Sequence, residues 1–244
     1  MGTIIELQNV GFIAEKQDII KNLSCQFEEG KASALIGPSG AGKSTILKLA
    51  AGLLVPTQGA VYLRHEDISL MNHERMLNFR RQAAVVFQDS ALWANQSLYQ
   101  NMELPLRIHF PQMPKRERDQ RINEVLAEAG YQKDLMMRPA KLSMGEQKLI
   151  AFARAMVCRP VLIFLDEWIE SLDENAVQRL INIAKMHKDA GHTIIFVSHD
   201  FRVVKYLADY VFIIIGGVLT MKLTGAQLTS DMALAQYIEK GIVS

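Results

Sequence analysis

The sequence predicts an α/β fold: a parallel sheet flanked by helices, with a helical subdomain inserted into it and an antiparallel β region at the N-terminal end. Three observations lead there. The buried apolar run Ala34-Leu35-Ile36 enters a glycine-rich loop that opens directly into a helix. Apolar runs and amphipathic stretches alternate up to residue 88 and again after residue 159, the pattern of strand–helix–strand units. Between them, residues 89–158 have helical periodicity and no convincing strand.

In chain order, residues 4–10 and 19–27 carry strand-like patterns, joined by a polar connection at 14–18. Glu28-Glu29-Gly30-Lys31 turns into the buried strand 32–36. A helix over 46–51 follows the loop and ends at Gly52 and Pro56-Thr57-Gln58-Gly59. Next come a strand at 60–63, a charged helix at 74–81, and a strand at 83–87 that stops at Gln88. The insert contains helices at 98–108, 115–129 and 145–157. Strands at 161–165, 193–197, 211–215 and 218–223 then alternate with helices at 174–190 and 201–208, before a final amphipathic helix at 231–240. The expected layout is a single domain over 1–244. Its core is about 1–88 and 159–230, its helical subdomain about 89–158, and its C-terminal helix about 231–244.

Bulk properties narrow the partners. The 244 residues are 49% hydrophobic and 22% charged, enough to bury a sizeable core. A net charge of +1 leaves no electrostatic footprint for nucleic acid. Cys25 and Cys158 lie far apart in apolar stretches and are expected to be reduced, buried and inert, as in a cytosolic protein. The first residues, with Glu6 so early, do not read as a signal peptide. The apolar run 211–221 is broken by Gly216-Gly217 and is too short to span a bilayer, so action at a membrane is expected to go through a partner.

The loop Gly37-Pro38-Ser39-Gly40-Ala41-Gly42-Lys43-Ser44-Thr45 fits G-x-x-x-x-G-K-[ST] in full. Small residues at 37, 40, 41 and 42 let successive N–H groups point inward as an anion nest, completed by the helix N-terminus. Lys43 brings a cation to the outer two phosphates, and the Ser44 hydroxyl is a Mg²⁺ ligand. This is a nucleoside-triphosphate site. Downstream, Val161-Leu162-Ile163-Phe164-Leu165 leads into Asp166-Glu167. A buried parallel strand delivers such acids to its carboxyl end, where ligands collect in open α/β sheets. There Asp166 holds Mg²⁺ directly or through water, and Glu167 either orients or deprotonates the attacking water.

The order is phosphate loop, Gln88, Leu142-Ser143-Met144-Gly145-Glu146, Asp166-Glu167, Ser171-Leu172-Asp173, then His199. Taken whole, it resembles the nucleotide-binding subunits of ATP-binding-cassette (ABC) transporters, over nearly the full chain. The resemblance implies ATP as the nucleotide and two such subunits, expected as a homodimer, closing head to tail on two ATP molecules. It implies that residues 37–45 hold the phosphates in one subunit while Ser143, Gly145 and Glu146 of the other close on the γ-phosphate. Ser143 to Glu146 is also a capping box, so Ser143 begins a helix whose positive end suits a phosphate. Asp173 matches a position that communicates between the two sites. Gln88 follows a strand and reaches either Mg²⁺ or the attacking water, and His199, at another strand end, hydrogen-bonds the γ-phosphate.

The chain departs from the family pattern at four places. Met144 stands where the signature usually has Gly, and Glu146-Gln147-Lys148-Leu149 replaces the usual Gln-x-Gln-Arg. Trp168 replaces the usual Pro after the two acids. The aromatic that stacks on adenine is expected near position 14, which is Ala14; Phe12, on the same strand face, is the substitute, with a core role as its alternative.

Phe87-Gln88-Asp89-Ser90-Ala91-Leu92-Trp93, the stretch Ser97-Leu98-Tyr99-Gln100-Asn101-Met102-Glu103-Leu104-Pro105-Leu106-Arg107 and the late Gln236-Tyr237-Ile238-Glu239-Lys240-Gly241 are similar to ATPases of the Mla/Mce phospholipid-transport branch. That likeness implies membrane-spanning permease subunits docked near 88–108, a lipid-binding Mce-type partner, and a peripheral place at the cytoplasmic face of the cell membrane. Two other readings remain: a soluble ABC ATPase of the iron–sulfur-assembly type, and a hydrolysis-deficient regulatory subunit.

Overall fold

The structure is a computed structural model and describes residues 2–230. The helix expected at 231–240 and the late segment 236–241 lie outside the described residues. The first half runs β1 (Thr3–Ala14), β2 (Gln17–Glu28), β3 (Ala32–Ile36), α1 (Lys43–Ala50), β4 (Gln58–Leu63), β5 (Glu66–Asp67), α2 (His73–Gln82) and β6 (Ala83–Val86). Three helices follow: α3 (Leu98–His109), α4 (Lys115–Ala129) and α5 (Met144–Met156). Then come β7 (Leu162–Asp166), α6 (Glu174–Asp189), β8 (Thr193–Val197), α7 (Phe201–Leu207), β9 (Tyr210–Ile215), β10 (Val218–Thr224) and α8 (Gly225–Ser230).

Two sheets form among the described residues. One has the order β10-β9-β3-β8-β7-β6, the other β2-β1-β4-β5. In the first, β9, β3, β8, β7 and β6 pair in parallel and β10 closes the edge antiparallel. The central strands β3, β7 and β8 are buried along their whole length. Strand alternation sorts their side chains to opposite faces. Ala34, Ile163 and Phe196 join the apolar cluster that includes α3–α6, while Leu35, Phe164 and Ile195 join the one around α1 and the antiparallel sheet.

The antiparallel strands exceed their sequence reading. β1 and β2 meet in a hairpin whose two turn residues, Glu15 and Lys16, both have positive φ, so the polar connection expected at 14–18 shrinks to two residues. The helix after the phosphate loop begins at Lys43 rather than Ile46, because Lys43-Ser44-Thr45 form its first turn. Cys25 and Cys158, expected to be buried, are half-buried and free, and burial pushes their thiols up to about 12 and about 11.

The three-helix insert packs through buried residues three or four apart on one helix face. Leu98, Met102 and Leu106 of α3 are buried, as are Ile122, Leu126 and Ala129 of α4. Ser97 starts α3 with a capping box to Gln100.

The parallel register places the site. Asp166 aligns with Val197, Leu35 with Val197, and Val86 with Leu165. The loops leaving β3, β6, β7 and β8 therefore emerge at one edge of the sheet. They carry residues 37–42, Gln88, Glu167 and His199.

Candidate functional site

The chain after β3 must turn sharply against β9. Gly37 has φ +148, and a Cβ there would lie 2.0 Å from the Ile214 carbonyl oxygen. Gly42 caps α1 with φ +93, where a Cβ would meet Ile20 Cδ1 at 2.6 Å. Only glycine fits either position. The N-terminus of α1 consequently opens onto a cavity of about 480 Å³ whose lining includes Ser39, Gly40, Lys43, Ser44 and Thr45. Gln88, Glu167, Glu170, His199 and Ile19 complete it.

Lys43 is buried, and its ammonium donates to the carbonyls of Gly37 and Pro38, each at 2.9 Å. Burial lowers its pKa, and the Glu167 and Asp166 carboxylates pull it back up. The Ser44 hydroxyl donates to Asp166 Oδ1 at 2.7 Å, so the two expected metal ligands touch. Asp166 is buried at the end of β7.

Glu167 follows with φ 45, a left-handed conformation uncommon outside glycine, and its N–H donates to the Val197 carbonyl at 3.2 Å. That geometry turns its carboxyl into the cavity edge. Glu167 Oε1 is buried and accepts no hydrogen bond; His199 Nε2 stands 3.1 Å away without the alignment of one. Burial pushes the Glu167 carboxyl up to about 6, against the pull of the His199 backbone N–H and Lys43. Burial and Lys43 hold His199 below its ordinary value.

Gln88 lies two residues beyond β6, and its Nε2 donates to Glu170 Oε2 at 3.1 Å. Ser143 and Glu146 form the capping box of α5: Ser143 Oγ accepts from the Glu146 N–H at 3.2 Å, and Glu146 Oε2 accepts from the Ser143 N–H at 3.0 Å. Glu146 also pairs with Lys133, which holds its carboxyl below the usual range. Gly145 sits beside Ser171 and Leu172, and Met144 next to it is 68% exposed. Asp173 caps α6 by accepting from the Ala176 N–H at 2.9 Å. Ser143, Gly145, Glu146 and Asp173 are not among the residues lining the cavity in this single chain.

Phe12 is not brought to the cavity. It is half-buried, paired with Ile20 across the hairpin and packed on the apolar cluster under the antiparallel sheet. Strand β2 lies against the phosphate loop at Gly42, so Ile19 is the apolar side chain at the cavity. Glu170 and Lys148 also stand beside the site, the first unmarked in the sequence and the second marked there only as a departure from the family pattern. Glu170 lies in the turn after β7 and belongs to no motif. Lys148, buried in α5, donates to the Glu167 carbonyl at 3.1 Å. Trp168, in place of the usual Pro, is buried and stacks on Phe152 of α5 with centroids 5.6 Å apart.

Residues 20–170 match the ABC transporter family. The chain is 31% identical, over 97% of its length and 90% of the relative's, to the Haemophilus influenzae intermembrane phospholipid transport system ATP-binding protein MlaF. It is 30% identical to the methionine import ATP-binding protein MetN of Clostridium acetobutylicum, over 88% of this chain and 67% of that protein. Among solved structures, an ATP-binding cassette in a dimeric post-hydrolysis state bound to ADP and Pi superposes with TM-score 0.84 at 27% identity, covering 91% of this chain and 98% of that one. Motif order, sheet topology and these likenesses agree: the chain belongs to the ABC transporter family, as an ATP-binding and ATP-hydrolysing subunit.

Proposed function

We propose that this subunit binds Mg-ATP at the cavity, pairs head to tail with a second nucleotide-binding subunit, and drives phospholipid movement through membrane-spanning partners. One observation carries the hydrolytic part: Glu167 Oε1 is buried without a hydrogen bond at the edge of a cavity whose other side is the phosphate loop. A buried acceptor left open in this way suits the proton of an attacking water.

The donor set fits a magnesium ion. Mg²⁺ takes one or two protein oxygens and draws the rest from phosphates and water. Ser44 Oγ and Asp166 Oδ1, 2.7 Å apart at the loop, are such oxygens, with the Gln88 amide as a third. When bound, the ion neutralises charge on the phosphates of the nucleotide. Lys43 and the N–H groups of 39–45 hold those phosphates. Asp166 fixes the Ser44 hydroxyl, Glu167 takes the proton of the water, and His199 donates to the γ-phosphate. Ser143, Gly145 and Glu146, absent from this chain's own cavity, serve the cavity of the second subunit, with Asp173 beside them. In this reading each γ-phosphate binds both subunits, and its cleavage lets them part.

The movement passes through Gln88 and α3–α5 to permeases docked near residues 88–108, where Trp93 and Ile108 are exposed. No helix among the described residues is long and apolar enough to cross a membrane. The chain then sits at the cytoplasmic face of the cell membrane through its partners, with a Mce-type lipid-binding protein among them. The MlaF likeness supports a lipid substrate, and the MetN likeness supports a second reading, uptake of an amino acid. Affinity purification of the tagged chain from detergent-solubilised membranes, with mass spectrometry of co-purifying proteins and lipids, separates them. Phospholipid and an Mce-type protein are expected; a permease accompanied by a free amino-acid-binding protein would overturn the lipid reading.

A further inference from the structure

Two charged residues to which the family resemblance gives no role, Glu170 and Lys148, tie the proposed hydrolytic groups to α5. Glu170 accepts from Gln88 Nε2 at 3.1 Å and stands 4.0 Å from Lys148 Nζ. The same ammonium donates to the Glu167 carbonyl at 3.1 Å. Lys148 is 5% exposed, and a buried ammonium needs such partners.

The chemistry of the first contact is directional. A primary amide offers a donor end and an acceptor end, whereas a carboxylate only accepts. Glu170 therefore draws the Nε2 end of Gln88 to itself and leaves Oε1, the end that a cation or a water hydrogen requires. The second contact acts on backbone. Glu167 holds φ 45, and the Lys148 bond to its carbonyl restrains that left-handed residue together with its own N–H bond to the Val197 carbonyl. From the same helix, Arg154 donates to the carbonyls of Ala91 and Ser90, at 2.7 and 3.0 Å, in the loop that carries Gln88. Helix α5 thus grips the Gln88 loop and the Glu167 turn together.

We infer that Glu170 and Lys148 are positioning residues for hydrolysis: Glu170 sets which end of the Gln88 amide faces the cavity, and Lys148 sets the Glu167 backbone, so that both follow the movement of α5. This rests on the reading above in which Gln88 and Glu167 serve the hydrolytic step. Glu170 touches neither nucleotide nor water in this role.

The test is steady-state ATPase of the full chain in its native membrane complex, with Mg²⁺ titrated. Glu170 is more than half exposed, so Glu170→Ala is expected to fold with an unchanged Tm. It lowers kcat about tenfold, the scale set by one hydrogen bond to a charged group, with the KM for ATP unchanged and the Mg²⁺ concentration for half-activation raised. Glu170→Gln, which keeps an acceptor but also offers a donor, recovers part of the loss. Gln88→Ala slows turnover by itself, and the double variant Gln88→Ala/Glu170→Ala is no slower than Gln88→Ala alone. Lys148→Met, if it folds, lowers kcat in the same manner. Wild-type turnover and Mg²⁺ dependence in Glu170→Ala, with Gln88→Ala impaired, would overturn the positioning role alone. Wild-type turnover in Gln88→Ala would overturn the underlying reading of the site and this inference with it.

Discussion

The Ser44 hydroxyl donates to Asp166 Oδ1 across 2.7 Å, joining the first turn of α1 to the last residue of β7. The two residues are far apart in the chain, and the parallel pairing of β3, β8 and β7 is what brings them together. Replacing Asp166 with Ala removes a buried carboxylate and leaves the Ser44 hydroxyl without this acceptor. ATP turnover is expected to fall by at least about a hundredfold, with a raised Mg²⁺ requirement, from loss of a metal-holding group. Mg²⁺-dependent ATPase assays check this, and an unchanged Mg²⁺ requirement would remove Asp166 from the metal site.

Lys43 is the buried cation of the phosphate loop. Lys43→Ala is expected to weaken ATP binding by at least about tenfold, because charge-assisted contacts to phosphate are lost. Equilibrium binding of a fluorescent ATP analogue measures it. Retained affinity would mean that the loop holds the nucleotide by its backbone alone.

His187 and His192 face each other with Nδ1 atoms 2.9 Å apart. Such a contact needs at least one ring unprotonated. Burial lowers both pKa values below the ordinary 6.5. With the folded pKa depressed, the unfolded chain binds the extra protons. Stability from this pair is then full above about pH 6.5 and is lost as pH falls toward the folded values. Tm measured from pH 7.5 down to 5.5 is expected to decline, and His192→Asn is expected to flatten the slope. An identical slope in the variant would rule the pair out.

Trp168 fills the space between β7 and α5, stacked on Phe152, with its Nε1 buried and unpartnered. Trp168→Ala is expected to cost about 3–5 kcal/mol, the usual range for emptying a large aromatic site. Trp168→Phe keeps the stack and discards the unpartnered N–H, so it is expected to cost far less. Chemical denaturation of both variants checks the ordering.

Much of the site was legible because its signals are local. A glycine-rich loop between a buried strand and a helix, two acids at a strand end, and Ser143 spaced three residues from Glu146 each carry their own geometry. What was not legible depends on register or on packing between distant elements. Phe12 and Ile19 are both apolar residues of the hairpin; only the two-residue turn at Glu15-Lys16, with the irregular β1–β2 register, decides that Ile19 faces the loop. Glu170 occupies a turn without periodicity, and its meaning comes from Gln88, 82 residues earlier. Lys148 reads in sequence as a break in the family pattern, whereas in the fold it is a ligand of the Glu167 carbonyl. The insert was readable as helices because Leu98, Met102 and Leu106 keep a one-face period despite Pro105.

The central claim is that two nucleotide-binding subunits share ATP across their interface. The direct measurement is the solution mass of the Glu167→Gln chain with and without saturating Mg-ATP, by light scattering after size exclusion. Loss of the general base slows hydrolysis by about 10²–10⁴-fold and leaves the nucleotide in place. A shift from the 27.4 kDa monomer to twice that mass on adding Mg-ATP is the predicted result. A monomer at every nucleotide concentration, although ATP binds and the native membrane partners are present, would contradict the account.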